Sequence, residues 1–136
     1  NVSFIGKDVL FFGSGCHLIF INLLTNEEHL YMANNYENGD GISCYVGHRT
    51  QNVFAFADTR TFATVFIKSY PTFEEIHRVK DEHSKGYISL AFSDSSSCLV
   101  TLADLPNFSL TVWNWRIGEK IASQEGGILM RNQSLK

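Results

Sequence analysis

One spacing constrains the fold of this chain more than any other feature, because similar short segments recur about every 46 residues. The Ile-Ser pair at positions 42 and 43 returns at positions 88 and 89. Residues 19–22 are matched in the same way by residues 65–68, and a further step of about 46 or 47 reaches residues 112–115. A fixed period of this length indicates repeated structural units. The spacing predicts three of them.

Each predicted unit consists of short apolar runs separated by turn residues, which is typical of antiparallel strands. In the third unit the runs cover residues 87–93, 98–103, 108–116 and 120–124. The second unit has runs at 42–46, 52–57, 63–69 and 74–80, and the first at 2–5, 9–12, 17–23 and 28–32. Aromatic residues make up 13% of the chain and favour strands. Four strands are therefore expected in each unit.

Four short strands in a unit of about 46 residues match the blade of a β-propeller, in which each small sheet packs against its neighbours. We predict an all-β chain of about three four-stranded antiparallel blades. The units lie at residues 1–33, 41–81 and 87–124, followed by a tail of unknown structure at 125–136. Because propellers close with about four to eight blades, three units are expected to be part of a larger propeller. The alternative is a simple antiparallel sandwich, in which the period has no role.

The third unit resembles a WD repeat. Residues 92–96 are similar to the first hairpin of that family, and residues 110–115 to its third strand, where Asn114 replaces the usual aspartate. The resemblance implies a hydrogen-bonded structural tetrad of four side chains: His83, Thr101, Asn107 and Trp113. Asn107 can accept a hydrogen bond but has no charge, so the network would be weakened. The alternative is that His83 is a solvated loop residue.

The resemblance also gives a repeat signature, which is expected at four positions: Asn22, Trp113, Asn114 and Trp115. In the first two units it places Ile21 and Ile67 where a WD repeat has its tryptophan. Apolar packing rather than a polar tetrad is therefore expected to hold those two blades.

Degenerate blades that close on a W-x-W sequence after a proline-containing turn are similar to the N-terminal propellers of the large cilia- and flagella-associated WD-repeat proteins. The likeness lies in residues 1–4, in Gly15 with residues 18–23, and in residues 105–108 leading to 113–115. It implies a non-enzymatic scaffold in the axoneme of the cilium or flagellum that tethers or regulates dynein. Its partners would be dynein-tether components and a neighbouring propeller. The alternative is a WD-repeat adaptor in another cytoplasmic complex.

Charge and hydropathy argue against two other classes of partner. The chain has 11 Lys and Arg residues against 14 Asp and Glu, with no basic cluster that could neutralise a row of phosphates, so no nucleic acid is expected. The apolar run at residues 9–24 is shorter than the ~20 residues of a membrane span and is interrupted by Gly13 and Gly15. We expect no membrane partner, and the glycines predict a hairpin turn.

No residue pattern predicts catalysis, a cofactor or a metal site. The histidines lack the H-x-x-x-H and H-x-H spacings of metal ligands, and Gly13-Ser14-Gly15 precedes a strand rather than the helix of a phosphate-binding loop. Gly47-His48 is similar to the Gly-His pair of WD repeats but follows its strand, so it is discounted. The alternative from another class is a small β-sandwich hydrolase or ligand-binding domain.

Three acidic pairs fall near the predicted outer strands: Glu27-Glu28, Glu74-Glu75 and Asp81-Glu82. Charge at such positions protects an exposed strand edge from unwanted pairing, and we expect these side chains to be solvated. The functional alternative is that the loops carrying them form part of a partner-binding surface.

Overall fold

In the computed structural model the chain is described over residues 1–33, 41–59, 63–81, 86–104 and 108–125. Within these ranges the backbone forms twelve β-strands and no helix. The same residues accordingly contain no helix that is long and apolar enough to cross a membrane.

The strands form three sheets of four. Sheet 1 contains β1 (Ser3–Ile5), β2 (Val9–Ser14), β3 (His17–Asn22) and β4 (Glu28–Met32). Sheet 2 contains β5 (Ile42–Gly47), β6 (Val53–Asp58), β7 (Val65–Ser69) and β8 (Glu75–Val79). Sheet 3 contains β9 (Tyr87–Phe92), β10 (Cys98–Ala103), β11 (Ser109–Asn114) and β12 (Glu119–Glu125).

Within each sheet the strands lie in chain order and each is antiparallel to its neighbours. This topology confirms the predicted fold class of three four-stranded antiparallel units. The predicted bounds of the units stay a prediction, and residues 126–136 of the predicted tail lie outside the described residues.

The turn between the third and fourth strands has the same construction in all three sheets. The third strands end at Asn22, Ser69 and Asn114, and each of these carbonyls accepts a hydrogen bond from the amide four residues later, at 2.8–2.9 Å. Those later residues, Asn26, Phe73 and Gly118, all have positive φ, at 60°, 60° and 72°. A left-handed residue at this place closes a short hairpin loop, and it is most easily adopted by Gly or Asn. Because the turn is shared, equivalent positions in the three sheets can be aligned by counting back from it.

The sheets are stacked face to face with sheet 2 in the middle. Its strand β6 is buried at every position, because it is covered on both faces. One apolar layer fills the space between sheets 1 and 2, and a second fills the space between sheets 2 and 3. The first strands of the sheets converge, with β1 beside β5 and β5 beside β9. This is the arrangement expected of propeller blades.

Candidate interaction site

Each sheet has two faces, and the alignment on the shared turn shows which residues of the three sheets lie on equivalent faces. Side chains of successive strand residues point to opposite faces. We call the face toward the preceding sheet the rear face and the face toward the following sheet the forward face. Counted back from the shared turn, the rear faces carry Leu10, Phe12, Ile19 and Ile21 in sheet 1, Phe54, Phe56, Phe66 and Lys68 in sheet 2, and Leu99, Thr101, Thr111 and Trp113 in sheet 3.

The forward faces carry Phe11, Leu18 and Phe20 in sheet 1, Ala55, Val65 and Ile67 in sheet 2, and Val100, Leu110 and Val112 in sheet 3. The forward face of sheet 1 packs against the rear face of sheet 2, and the forward face of sheet 2 against the rear face of sheet 3. In the described part of the chain, no sheet covers the rear face of sheet 1 or the forward face of sheet 3.

Aromatic rings fill the layer between sheets 1 and 2. Phe20 is fully buried, and its ring centroid lies 4.9 Å from those of both Phe11 and Phe54. Tyr70 stacks on the same ring at 5.1 Å, and Phe73 approaches it at 5.4 Å. Ring pairs at these distances contribute about 0.5–1.5 kcal/mol each beyond the burial of their area. The join between these two sheets is therefore stabilised mainly by aromatic contacts.

Small aliphatic residues face two large ones in the layer between sheets 2 and 3. On the sheet 2 side Ala55, Ala57 and Ile67 are fully buried. On the sheet 3 side Leu99 and Trp113 are buried, with exposed fractions of 0% and 4%. Alanines leave room for the indole, so the sizes of the two faces are matched.

Two of the four tetrad residues predicted from the WD-repeat resemblance are joined by a buried hydrogen bond. The indole Nε1 of Trp113 donates to Oγ1 of Thr101 at 3.0 Å, and Thr101 is only 1% exposed. A buried hydrogen bond of this kind satisfies a donor that would otherwise be costly to bury. His83 and Asn107 lie outside the described residues, so the complete tetrad stays a prediction.

Lys68, and not Ile67, stands at the place of Trp113 in sheet 2. Lys68 pairs with Phe54 as Trp113 pairs with Leu99, whereas Ile67 points to the forward face. The expected equivalence of Ile67 was therefore wrong by one residue, which reverses the face. Ile21, in contrast, does occupy this place in sheet 1.

The Lys68 side chain is held at the edge of the aromatic layer by one contact to sheet 1 and one within its own sheet. Its ammonium lies 5.2 Å from the centre of the Tyr31 ring and 3.9 Å from the carboxylate of Glu75. Arg78 donates to the same carboxylate at 2.9 and 3.0 Å. These hydrogen bonds from Arg78, more than any other cause, lower the pKa of Glu75. A cation over a ring thus replaces the indole of sheet 3.

Three of the predicted signature residues lie at or next to the shared turn. The side-chain oxygen of Asn22 accepts hydrogen bonds from the amides of Leu24 and Thr25, at 2.9 and 3.2 Å. Asn114 accepts one from the amide of Arg116 at 3.1 Å. Trp115, which follows Asn114, is 1% exposed, and the guanidinium of Arg116 lies 4.5 Å above its ring. The predicted signature residues therefore lie at the turn between the third and fourth strands as well as at the tryptophan of the predicted tetrad.

His48 is a buried position whose contacts the sequence argument did not anticipate. Its imidazole is fully buried and lies 5.1 Å from the ring of Phe92 and 6.0 Å from that of Trp115. Nδ1 accepts hydrogen bonds from the amides of Thr50 and Gln51, at 3.1 and 3.2 Å, which places the ring proton on Nε2. Burial lowers the pKa of His48, and the nearby Asp94 carboxylate opposes that shift in part. The Gly-His pair thus joins the turn of sheet 2 to sheet 3.

Gly47 allows the first strands of sheets 1 and 2 to meet. A Cβ at this position would lie 2.0 Å from the carbonyl oxygen of Phe4, which is far inside any permitted contact. The Gly47 amide donates to Oγ of Ser3 at 3.0 Å, and the Gly6 amide donates to the carbonyl of His48 at 2.8 Å. The discounted Gly-His pair includes this glycine, but the local sequence does not show why a glycine is needed, because the clash comes from a strand more than forty positions away.

The acidic pairs have different environments, and Glu82 of the third pair lies outside the described residues. Glu75 is bound by Arg78, as described, and Glu27 lies 3.7 Å from the imidazole of His29 at the surface. Asp81 is only 6% exposed, so the expectation of a solvated side chain was wrong for this residue. Its amide donates to the hydroxyl of Tyr87 at 2.8 Å, and burial raises the pKa of Tyr87 to about 12. Among the described residues, no group of three or more His, Cys, Asp or Glu side chains is placed to hold a metal ion.

Uncovered sheet faces and one cavity lie at the surface of the described residues. The uncovered faces are apolar, and on the rear face of sheet 1 the exposed side chains include Phe4 at 47%, Leu30 at 60% and Met32 at 40%. A cavity of about 320 Å³ opens at the turns between sheets 1 and 2. Its polar lining includes Lys7, Asp8, Glu27, His29 and Asn52.

Sequence comparison finds relatives among proteins of the cilium and flagellum. The chain is 32% identical over 119 residues to cilia- and flagella-associated protein 43 of Mus musculus, an alignment that covers 85% of the chain and 7% of that protein. It is 21% identical over 116 residues to cilia- and flagella-associated protein 44 of the same species, over 85% of the chain and 6% of that protein. The chain thus spans less than a tenth of the length of either relative. No family model matches it.

Solved structures with the same fold are WD40 propellers. A chain of the mitotic checkpoint complex superposes with a TM-score of 0.77 at 10% identity, covering 92% of this chain and 36% of that one. The WD40 repeats of RRP9 superpose with a TM-score of 0.69 at 14% identity, over 88% of this chain and 36% of that one. At such low identity the likeness concerns the fold. The chain is built of WD-repeat β-propeller blades and is similar in sequence to cilia- and flagella-associated WD-repeat proteins.

Proposed function

We propose that this chain is a non-enzymatic scaffold for protein–protein interaction. The observation that carries the proposal is the contrast between two closely packed layers inside the stack and the apolar faces left at its two ends. Large apolar side chains on a rigid surface bind other proteins, because burying them removes apolar area from water. WD40 propellers in complexes, such as the mitotic checkpoint complex, agree with this role.

We further propose that the scaffold acts in the axoneme of the cilium or flagellum. Support comes from the similarity to cilia- and flagella-associated proteins 43 and 44, which covers 85% of the chain. The finer proposal is that it contributes to tethering or regulating dynein and therefore to motility. It rests on the resemblance of the blades to those of the axonemal WD-repeat proteins.

Localisation of tagged full-length chain in motile ciliated cells tests the ciliary proposal. We expect the signal to follow the axoneme, and a diffuse cytoplasmic signal would support an adaptor in another complex instead. Leu30→Glu places a charge on the rear face of sheet 1 and is expected to weaken the axonemal signal. Ile117→Glu is the matched control, because Ile117 lies in a turn of sheet 3, outside that face and outside the lining of the cavity, at 56% exposure, and its signal should stay unchanged.

Cross-linking in isolated axonemes, followed by mass spectrometry, tests the dynein proposal. Cross-links from the tagged chain to dynein subunits or to the proteins that anchor them are expected. Axonemal localisation with cross-links confined to other structures would contradict dynein tethering while leaving the scaffold role intact.

A further inference from the structure

The cavity between sheets 1 and 2 is built from the turns of two neighbouring sheets. Its walls come from the β1–β2 and β3–β4 turns of sheet 1 and the β5–β6 and β7–β8 turns of sheet 2, together with the buried side chains of Ile5 and Val9. Each of these turns lies entirely within the described residues. The volume of about 320 Å³ falls in the range of about 300–1,000 Å³ that is typical of ligand pockets.

A buried tyrosine contributes a hydroxyl without a partner to this cavity. Tyr70 lines the cavity and is only 7% exposed. Its ring is fixed by Phe20, with centroids 5.1 Å apart, and by the edge of His29 at 5.6 Å. No described residue forms a hydrogen bond with the Tyr70 hydroxyl. Since buried polar groups are normally hydrogen-bonded, this hydroxyl indicates a ligand.

The hydroxyl of Tyr70 stays protonated near neutral pH. Burial raises the pKa of Tyr70, and the nearby carboxylate of Glu27 raises it further. A protonated phenol can both donate and accept a hydrogen bond. The chemistry of the ligand is therefore decided by the charges around the cavity.

The lining of the cavity carries more negative than positive charge. Asp8 and Glu27 supply two carboxylates, Lys7 supplies one ammonium, and His29 adds a positive charge only when it is protonated. Glu27 lies 3.7 Å from His29, and neither carboxylate forms an ion pair with Lys7 in the described part of the chain. The two carboxylates thus have acceptor oxygens left for a cation.

We propose that this cavity binds one basic side chain, arginine or lysine, of a partner protein. The methylene groups of that side chain lie along Ile5 and Val9, and its cation is bound by Glu27 and Asp8. The hydroxyl of Tyr70 accepts one of its hydrogen bonds. An acidic side chain in the same place would meet two like charges. The inference rests on the proposed scaffold role and names the chemistry that a partner presents to it.

Titration of the full chain with short peptides tests the proposal. The probe is a blocked Gly-Ser-Arg-Ser-Gly peptide, and three companion peptides have Lys, Gln or Glu in place of Arg. At millimolar concentration either basic peptide should shift the amide signals of Gly6, Asn52 and Tyr70 in nuclear magnetic resonance spectra, and should leave Gly118 of sheet 3 unchanged. Failure of both basic peptides to bind, or tighter binding of the Glu peptide, would overturn the proposal.

Charge variants test which groups bind the cation. Glu27→Gln should weaken binding of the basic peptides about two- to fivefold, the effect of a partly exposed ion pair. Glu28→Gln is the matched control, because it makes the same change of charge at the next residue, which is exposed and outside the lining. Lys7→Gln should tighten binding by a similar factor. A cavity for acidic groups would give the opposite sign in Lys7→Gln, and equal losses in the two glutamine variants at 27 and 28 would also contradict the proposal.

Tyr70→Phe tests the hydroxyl separately from the packing of its ring. The variant keeps the contact with Phe20, so the urea midpoint should stay unchanged, while binding of the basic peptides should weaken about threefold. Unchanged affinity would contradict the role of Tyr70. A chain that binds no basic peptide but has an axonemal signal that depends on Leu30 would overturn this inference and leave the scaffold role intact. Peptide binding together with a diffuse signal in cells would support this inference and contradict the ciliary proposal instead.

Discussion

The two layers inside the stack each join a pair of four-stranded sheets, but they do so with different side chains. Between sheets 1 and 2, large rings meet large rings, with Phe11 and Phe20 against Phe54. Between sheets 2 and 3, alanines and branched residues receive one indole, and that indole is fixed by a hydrogen bond to Thr101. The comparison shows that one blade topology can be held either mainly by the packing of rings or by packing that includes a buried hydrogen bond. Each layer should therefore respond to a different kind of substitution.

The largest effect is expected from removing a ring in the aromatic layer. Phe20→Ala should lower the free energy of unfolding by about 3–5 kcal/mol, because Phe20 is fully buried and neighbouring rings cannot fill the space. Urea unfolding of the full chain measures the change. The control Leu24→Ala, at 74% exposure, should change it by less than about 0.5 kcal/mol. Similar losses for the two variants would contradict the proposed role of the aromatic layer.

In the second layer the hydrogen bond gives a more specific test. Thr101→Val keeps the shape of the side chain but leaves the indole donor of Trp113 buried without an acceptor, and should cost about 1–3 kcal/mol. Thr111→Val is the matched control, because the partner of Thr111, Ser123 at 3.0 Å, is exposed and can bind water instead. A double-mutant cycle with Trp113→Phe isolates the pair. Equal costs for the two valine variants would mean that this bond is no stronger than a surface contact.

The sequence predicted Thr101 and Trp113 of this second layer better than it predicted the residue at the place of Trp113 in sheet 2. Thr101 and Trp113 could be paired in advance because a WD repeat prescribes both residue types at a fixed spacing. Lys68 could not be recognised as the counterpart of Trp113, because the interval between equivalent turn residues varies from sheet to sheet and one residue of slip exchanges the faces. The buried Gly47 was missed for a different reason. What excludes a side chain there is the carbonyl of Phe4, on another sheet.

Acid should weaken the second layer in preference to the first. Because burial lowers the pKa of His48 below its ordinary 6.5, the folded state favours the neutral ring. The resulting stabilisation is complete above pH 6.5 and is lost as the pH falls from there through the folded-state pKa. Protonation would also place a donor on Nδ1 opposite the amides of Thr50 and Gln51. Urea midpoints between pH 7.5 and 5 should fall less steeply in His48→Gln.

The smallest effects are expected at the shared turn, where the asparagine side chains of sheets 1 and 3 accept hydrogen bonds from different numbers of amides. Asn22 accepts two hydrogen bonds and Asn114 accepts one, and all of them are exposed to solvent. Asn22→Ala should therefore cost about 1 kcal/mol and Asn114→Ala about half as much, because solvent replaces much of a surface hydrogen bond. Replacing either residue with Asp keeps the accepting oxygen and should restore most of the loss. Equal destabilisation of the two alanine variants would mean that the side-chain hydrogen bonds of Asn22 and Asn114 do not distinguish the two turns. The backbone hydrogen bond common to both turns would then account for their stability.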